Sequence, residues 1–193
     1  MTIEWTPKAR AVLDAASELF YAHGIHAVGV DAIAERAGVT KKTLYDRFGS
    51  KDRLVAEYLG ARDARWRERL DARLAEAGDD PSDGLRAVFD AAATWAEAEG
   101  TRGCAMVNAH AEIAEDHLAH EPTARQKAWT RELFVGLATD AGAADPEALG
   151  EQLMLLHEGA VVTAGLHAMG DPFARALAAA ETLLAAGGRD GAR

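Results

Sequence analysis

The sequence predicts an all-α protein, and three observations carry that reading. Four of the five prolines follow a good helix-capping residue, as Thr6-Pro7, Asp80-Pro81, Asp145-Pro146 and Asp171-Pro172. Such pairs mark helix starts, because the N–H that proline lacks has no helical partner in the first turn anyway. No stretch alternates polar and apolar residues as a half-buried strand would. Alanine is abundant throughout, and hydrophobic residues form 49% of the 193-residue chain, enough for a sizeable core.

Taken in order, helices are expected at 6–23, 30–37, 41–48, 51–77, 81–99, 104–118, 121–141, 146–169 and 171–186. The first carries an apolar stripe of Val12, Leu13, Ala16, Leu19 and Phe20, and Gly24 is placed to end it. The seventh opens at Glu121-Pro122. The tail Gly187–Arg193 reads as frayed. From residue 51 onward the helices are too long and too apolar to decorate a surface, so they should build a second, larger bundle.

Several function classes fall away early. No apolar run approaches the roughly 20 residues that span a bilayer, and Glu4, Trp5, Pro7 and Lys8 interrupt any signal-peptide core. A soluble, cytoplasmic protein is expected. The single cysteine, Cys104, has no internal disulfide partner. With no flanking Lys or His to activate it, Cys104 reads as a structural thiol rather than a redox sensor. His117 and His120, beside Asp116 and Glu121, stand at an expected helix end and read as surface residues. No metal site or cofactor is expected, and no nucleophile–base spacing suggests an enzyme.

Charge is unevenly distributed. The net charge of −10 argues against nucleic acid for the chain as a whole. Yet of its 21 basic and 31 acidic residues, 8 and 7 fall within 1–53, leaving 13 and 24 for the rest. Within Thr40–Arg53 five basic residues face two acidic ones. A small basic patch on an acidic body would admit DNA through that one surface.

The patch coincides with the most informative segment, Val30–Leu54. Ile33, Ala34 and Ala37 lie on one face of a short helix, Gly38 allows a sharp turn, and Val39 plugs it. Thr40 then caps a second short helix, whose Leu44 and Phe48 face the first. Two short helices joined by a tight glycine turn make a helix-turn-helix. With Leu44 and Phe48 inward, 100° per residue turns Lys42, Thr43, Tyr45 and Asp46 outward and sets Arg47 on the flank. Asp46 is expected mainly to offset Arg47. Lys41 and Lys42 occupy a helix's first turn, where the macrodipole disfavours cations, and Lys51 repeats the pattern after Ser50. Phosphate groups at those helix ends would account for it.

From Ala32 through Thr40, Leu44, Phe48 and on to Lys51, this run resembles the helix-turn-helix and following helix entry of the TetR family, over about residues 8–55. The resemblance implies a nine-helix homodimer that represses promoters and is released by a small ligand in its C-terminal bundle. By resemblance Thr40, Lys42, Thr43, Tyr45, Arg47 and Lys51 contact DNA, and the helix-end argument adds Lys41. Gly29 departs from the family, which usually has Ser or Thr there to cap the second helix. The expected division is a DNA-binding domain over 1–50 and a ligand-binding and dimerisation domain over 51–193. The alternatives are a redox-responsive or activating regulator of the same fold, or a helical interaction protein that does not bind DNA.

Within the bundle, the eighth helix is apolar nearly all round, and the ninth has a stripe rich in small residues. Leu153, Leu156, Ala160, Ala164, Leu177 and Leu184 are therefore expected to form a twofold four-helix interface. Trp95, Met106, His110, Trp129 and His157 are the candidate effector contacts, as aromatic, adaptable or hydrogen-bonding groups on apolar helices.

Overall fold

A computed structural model describes residues 3–99 and 102–187; the tail beyond Gly187 lies outside them. Among the described residues there are nine helices and no strands: α1 (Pro7–His23), α2 (Val30–Arg36), α3 (Lys41–Phe48), α4 (Lys51–Glu76), α5 (Pro81–Glu99), α6 (Ala105–Glu112), α7 (His120–Asp140), α8 (Pro146–Gly165) and α9 (Pro172–Gly187). The capping pairs act as read. Thr6 Oγ1 accepts the Ala9 N–H, Asp145 Oδ1 that of Ala148, and Asp171 Oδ1 that of Ala174.

The described residues group into two compact units. The first takes in 3–64 and 105–124, and the second 65–99, 102–104 and 125–187. In the first, Val12, Ala16, Phe20, Ile33, Leu44, Phe48, Leu54, Val55, Tyr58 and Leu59 are buried. In the second, Leu70, Leu85, Val88, Phe89, Phe134, Leu149, Leu153, Ala180 and Leu184 share one core. There α9 packs along α8 and α5.

Two helices stop short of the expected ends. α6 ends at Glu112 rather than 118, because side chains compete for the backbone. The Glu112 carboxylate accepts the His26 N–H at 2.8 Å, and His117 Nδ1 accepts the Ala119 N–H at 3.0 Å. The other ring nitrogen, His117 Nε2, stands 3.3 Å from Asp52 Oδ1. Ala114, Glu115 and Leu118 are good helix formers, so the helix ends against local propensity, under these bonds. α8 ends at Gly165 rather than 169, in a Schellman turn whose left-handed residue is His167, at φ 51°. The His167 N–H reaches the Ala164 carbonyl and the Ala168 N–H that of Thr163.

Candidate nucleic-acid interface

The turn between α2 and α3 is built from local bonds. Gly38, at φ 65°, ends α2 by the same Schellman pattern, its N–H on the Glu35 carbonyl and the Val39 N–H on that of Ala34. Thr40 Oγ1 then accepts the Thr43 N–H at 3.1 Å and fixes the start of α3. Ser50 Oγ repeats the device for α4, accepting the Arg53 N–H at 3.0 Å. Gly29, the N-cap of α2, makes no side-chain cap.

Leu44 and Phe48 are buried, which leaves Lys41, Lys42, Tyr45 and Asp46 exposed and Thr43 and Arg47 half-buried on the outer face of α3. The cations there differ in how far they are engaged. Lys42 makes no ion pair or hydrogen bond among the described residues. Lys41 Nζ lies 3.0 Å from Asp31 Oδ2, and that hydrogen bond, with Asp31's charge, holds its pKa above the ordinary value. Lys51 Nζ donates to the Ile25 carbonyl at 2.6 Å and sits over the Phe20 ring, tying the start of α4 to the α1–α2 loop. Asp46 does not offset Arg47, as the sequence suggested. Arg47 Nη1 instead reaches Glu4 Oε2 at 2.7 Å.

That contact comes from a segment the sequence did not single out. Ile3 is buried, and Trp5 meets Phe48 edge-on with ring centroids 6.3 Å apart. Residues 3–6 are thereby laid along α3, which holds a carboxylate on the guanidinium that would meet DNA. Glu4→Gln removes the competing charge. We expect it to tighten DNA binding by about 1.4- to fivefold, since an exposed pair of this kind is worth about 0.2–1 kcal/mol. A gel-shift titration against Arg47→Ala and the double variant checks this: Glu4→Gln should have no effect once Arg47 is gone.

Residues 12–58 match the profile of the bacterial regulatory proteins of the tetR family. The fold extends the match over the whole length. SCO4454, a TetR-family transcriptional regulator from Streptomyces coelicolor, superimposes with a TM-score of 0.85 at 30% identity, covering 97% of this chain and 100% of that one. The chain belongs to the TetR family of transcriptional regulators. The sav143 protein of Streptomyces avermitilis is similar too, with 31% identity, a TM-score of 0.77, and 95% and 98% of the two chains covered. The HTH-type transcriptional activator FasR of Mycolicibacterium smegmatis is 31% identical over 134 residues, 68% of this chain. The chain spans 59% of that relative's length. No helix among the described residues is long and apolar enough to cross a membrane.

In the second unit of this TetR-family chain, the residues expected at the interface pack wholly or partly within the subunit itself. Leu153, Ala160 and Leu184 are 0%, 3% and 4% exposed and belong to the subunit's own core; Leu156, Ala164 and Leu177 are half-buried against it. A helix apolar all round gives no sequence signal for which side meets its own bundle. The large apolar residues of this unit left in solvent are Leu155 at 72%, Val162 at 40%, Leu166 at 70% and Met169 at 49%, among the described residues. At 100° per residue, Leu155, Gly159 and Val162 form a stripe opposite Leu153, His157 and Ala160. On α9 the exposed residues Ala174, Ala178, Thr182 and Ala185 form a second stripe of small side chains.

The five candidate effector contacts are divided between the two units. Met106 and His110 fall in the first unit, where Met106 is buried and His110 is exposed against the His120 ring. Trp95, Trp129 and His157 fall in the second. Trp95 meets Trp66 edge-on at 5.7 Å, and the Arg67 guanidinium covers the Trp129 ring at 4.1 Å. His157 is 6% exposed, with the rings of Phe134, Phe89 and Trp66 around it at 5.6, 5.8 and 6.4 Å. Neither of its ring nitrogens has a hydrogen-bond partner, and the same holds for Oε1 of Gln126, 7% exposed. A buried polar atom left so costs about 1–3 kcal/mol. Trp66, Phe89, Phe134 and Gln126 were not singled out as site residues in the sequence, where they are indistinguishable from ordinary core.

Cys104 is not isolated either. Lys127, 23 positions on, places Nζ 3.5 Å from its Sγ and 2.5 Å from Glu158 Oε2. Burial opposes the Lys127 charge, but Cys104 and Glu158 outweigh it and hold the pKa up. Burial likewise pushes the Glu158 carboxyl up, and the His157 ring and Lys127 reverse this, to about 2. At 3.8 Å the His157 contact is electrostatic rather than a hydrogen bond, so we assign the larger share to Lys127.

Proposed function

We propose that this TetR-family regulator binds a near-palindromic operator as a homodimer and releases it when a small molecule enters the second unit. The observation that carries the reading is the outer face of α3, where the capped helix start, Lys42 and Tyr45 are exposed, with Arg47 on the flank and Lys41 and Lys51 beside them. Functionally, 1–50 reads DNA and 51–193 senses and pairs, and the protein works in the cytoplasm. The exposed stripes on α8 and α9 support pairing about a twofold axis, each meeting its copy. Two recognition helices then reach half-sites about 34–36 Å, or a multiple, apart.

Coupling has a physical route. α4 is continuous from its Ser50 cap to Glu76, and within the first unit His26 and Asp52 are held by Glu112 and His117. A ligand that moves these supports alters the tilt of α3. The reading is of a repressor. The activator FasR supports a second one, in which the same dimer recruits rather than blocks transcription, and a promoter fusion in a deletion strain separates them.

The test is an operator selected from random duplexes. Arg47→Ala and Tyr45→Ala should each weaken it by about 1–3 kcal/mol. Lys42→Ala should weaken all sequences alike and reduce the salt slope by about 1. Wild-type affinity in all three folded variants would remove α3 from the interface.

A further inference from the structure

The orphaned polar atoms of the second unit bear on what enters it. His157 on α8 is enclosed by Trp66, Phe89 and Phe134, which come from α4, α5 and α7. Gln126 lies two helical turns before Phe134 on the same buried face of α7, its Nε2 donating to Thr130 Oγ1 at 3.1 Å and its Oε1 unpartnered. Both side chains are more than nine-tenths buried. Buried polar groups are ordinarily hydrogen-bonded, so the unpartnered His157 nitrogens among aromatic rings point to a group that binds there.

The unmet bonds specify that ligand. A neutral imidazole offers one N–H donor and one acceptor nitrogen. A hydroxyl both donates and accepts, so one such group answers the ring from either side. The charged alternatives are opposed. Lys127 is engaged by Glu158 and Cys104, so it offers no free charge to an anion. The Glu158 carboxylate is itself neutralised by Lys127, so it holds no second cation. The three surrounding rings favour an aromatic body in edge-on or offset contact.

We propose that the effector is a neutral hydroxylated aromatic molecule whose hydroxyl bonds to His157 among the rings of Trp66, Phe89 and Phe134. This rests on the effector reading above and adds its chemical class.

The test compares 2-naphthol with naphthalene, which has the same rings and no hydroxyl, by quenching of tryptophan fluorescence and by calorimetry on the full-length protein. Wild type should bind 2-naphthol at least about tenfold more tightly. His157→Phe should bring the two within about twofold while keeping the naphthalene affinity. Because a core variant can misfold, the wild type labelled with 15N-histidine gives an independent readout. The ring-nitrogen resonances of His157 should move with 2-naphthol and stay in place with naphthalene. Equal affinities, no binding of 2-naphthol up to its solubility, or an unmoved His157 signal in the 2-naphthol complex overturns the inference. The two readings fail differently. Tight, hydroxyl-dependent binding that leaves operator affinity unchanged keeps the ligand class and removes its role as effector. Operator release by naphthalene and 2-naphthol alike keeps the effector reading and removes the class.

Discussion

Leu155→Glu combined with Val162→Glu is expected to give a folded monomer that no longer holds its operator. The two side chains are 72% and 40% exposed, so the charges stay in water in the isolated subunit and change its stability little. In a twofold interface the same substitutions bury four carboxylates without partners, at several kcal/mol each. Specific sites are typically held about 10³–10⁷ more tightly than random DNA. A monomer reading one half-site should therefore lose at least about three orders of magnitude. Leu153→Glu provides the contrast. At 0% exposure it places a carboxylate in the subunit's own core and should leave no folded protein of either state, since total stability is only about 5–15 kcal/mol. Sedimentation and circular dichroism on both proteins decide the matter. A double variant that still sediments as a dimer would move the interface off α8.

The second large effect is expected at Gly150, where α8 crosses α7 without room for a side chain. A Cβ there would lie 2.6 Å from Val135 Cγ2 and 2.7 Å from the Val135 Cα and N. Two of these are backbone atoms and cannot turn away, so the helices must separate along a boundary that also carries the ion pairs of Arg131 with Glu147 and Glu151. Gly150→Ala should cost about 3 kcal/mol. That corresponds to a midpoint of thermal unfolding lower by about 6–12 °C. Gly136→Ala, on the exposed surface of α7, meets nothing within 4 Å and should instead raise the midpoint slightly, through the better helical preference of alanine. Similar midpoints for the two variants would mean the α7–α8 crossing is looser than described.

What could be read from the sequence was what short-range chemistry decides. The helix-turn-helix was legible because Gly38, Thr40 and Ser50 act on backbone groups within a few residues of themselves. The proline-led helix starts were legible for the same reason. The end of α6 was not, because it depends on Glu112 meeting His26, 86 positions away. Nor was the end of α8, where His167 takes a left-handed position at which a glycine would have announced itself. The outward face of α8 was hidden by the helix being apolar on every side. The aromatic enclosure of His157 depends on three rings from three other helices, an arrangement invisible to spacing along the chain.

The grouping of 105–124 with 3–64 bears on how such a regulator can change hands in evolution. A single crossover that moves only the N-terminal segment to a new sensor leaves behind the carboxylate that holds His26 and the imidazole beside Asp52. The recipient would inherit the helices that read DNA without the residues that brace them. Exchange of DNA specificity within this lineage is therefore expected to proceed by point changes on the outer face of α3, with whole-domain transplants tolerated only between chains that already match along α6 and the loop after it.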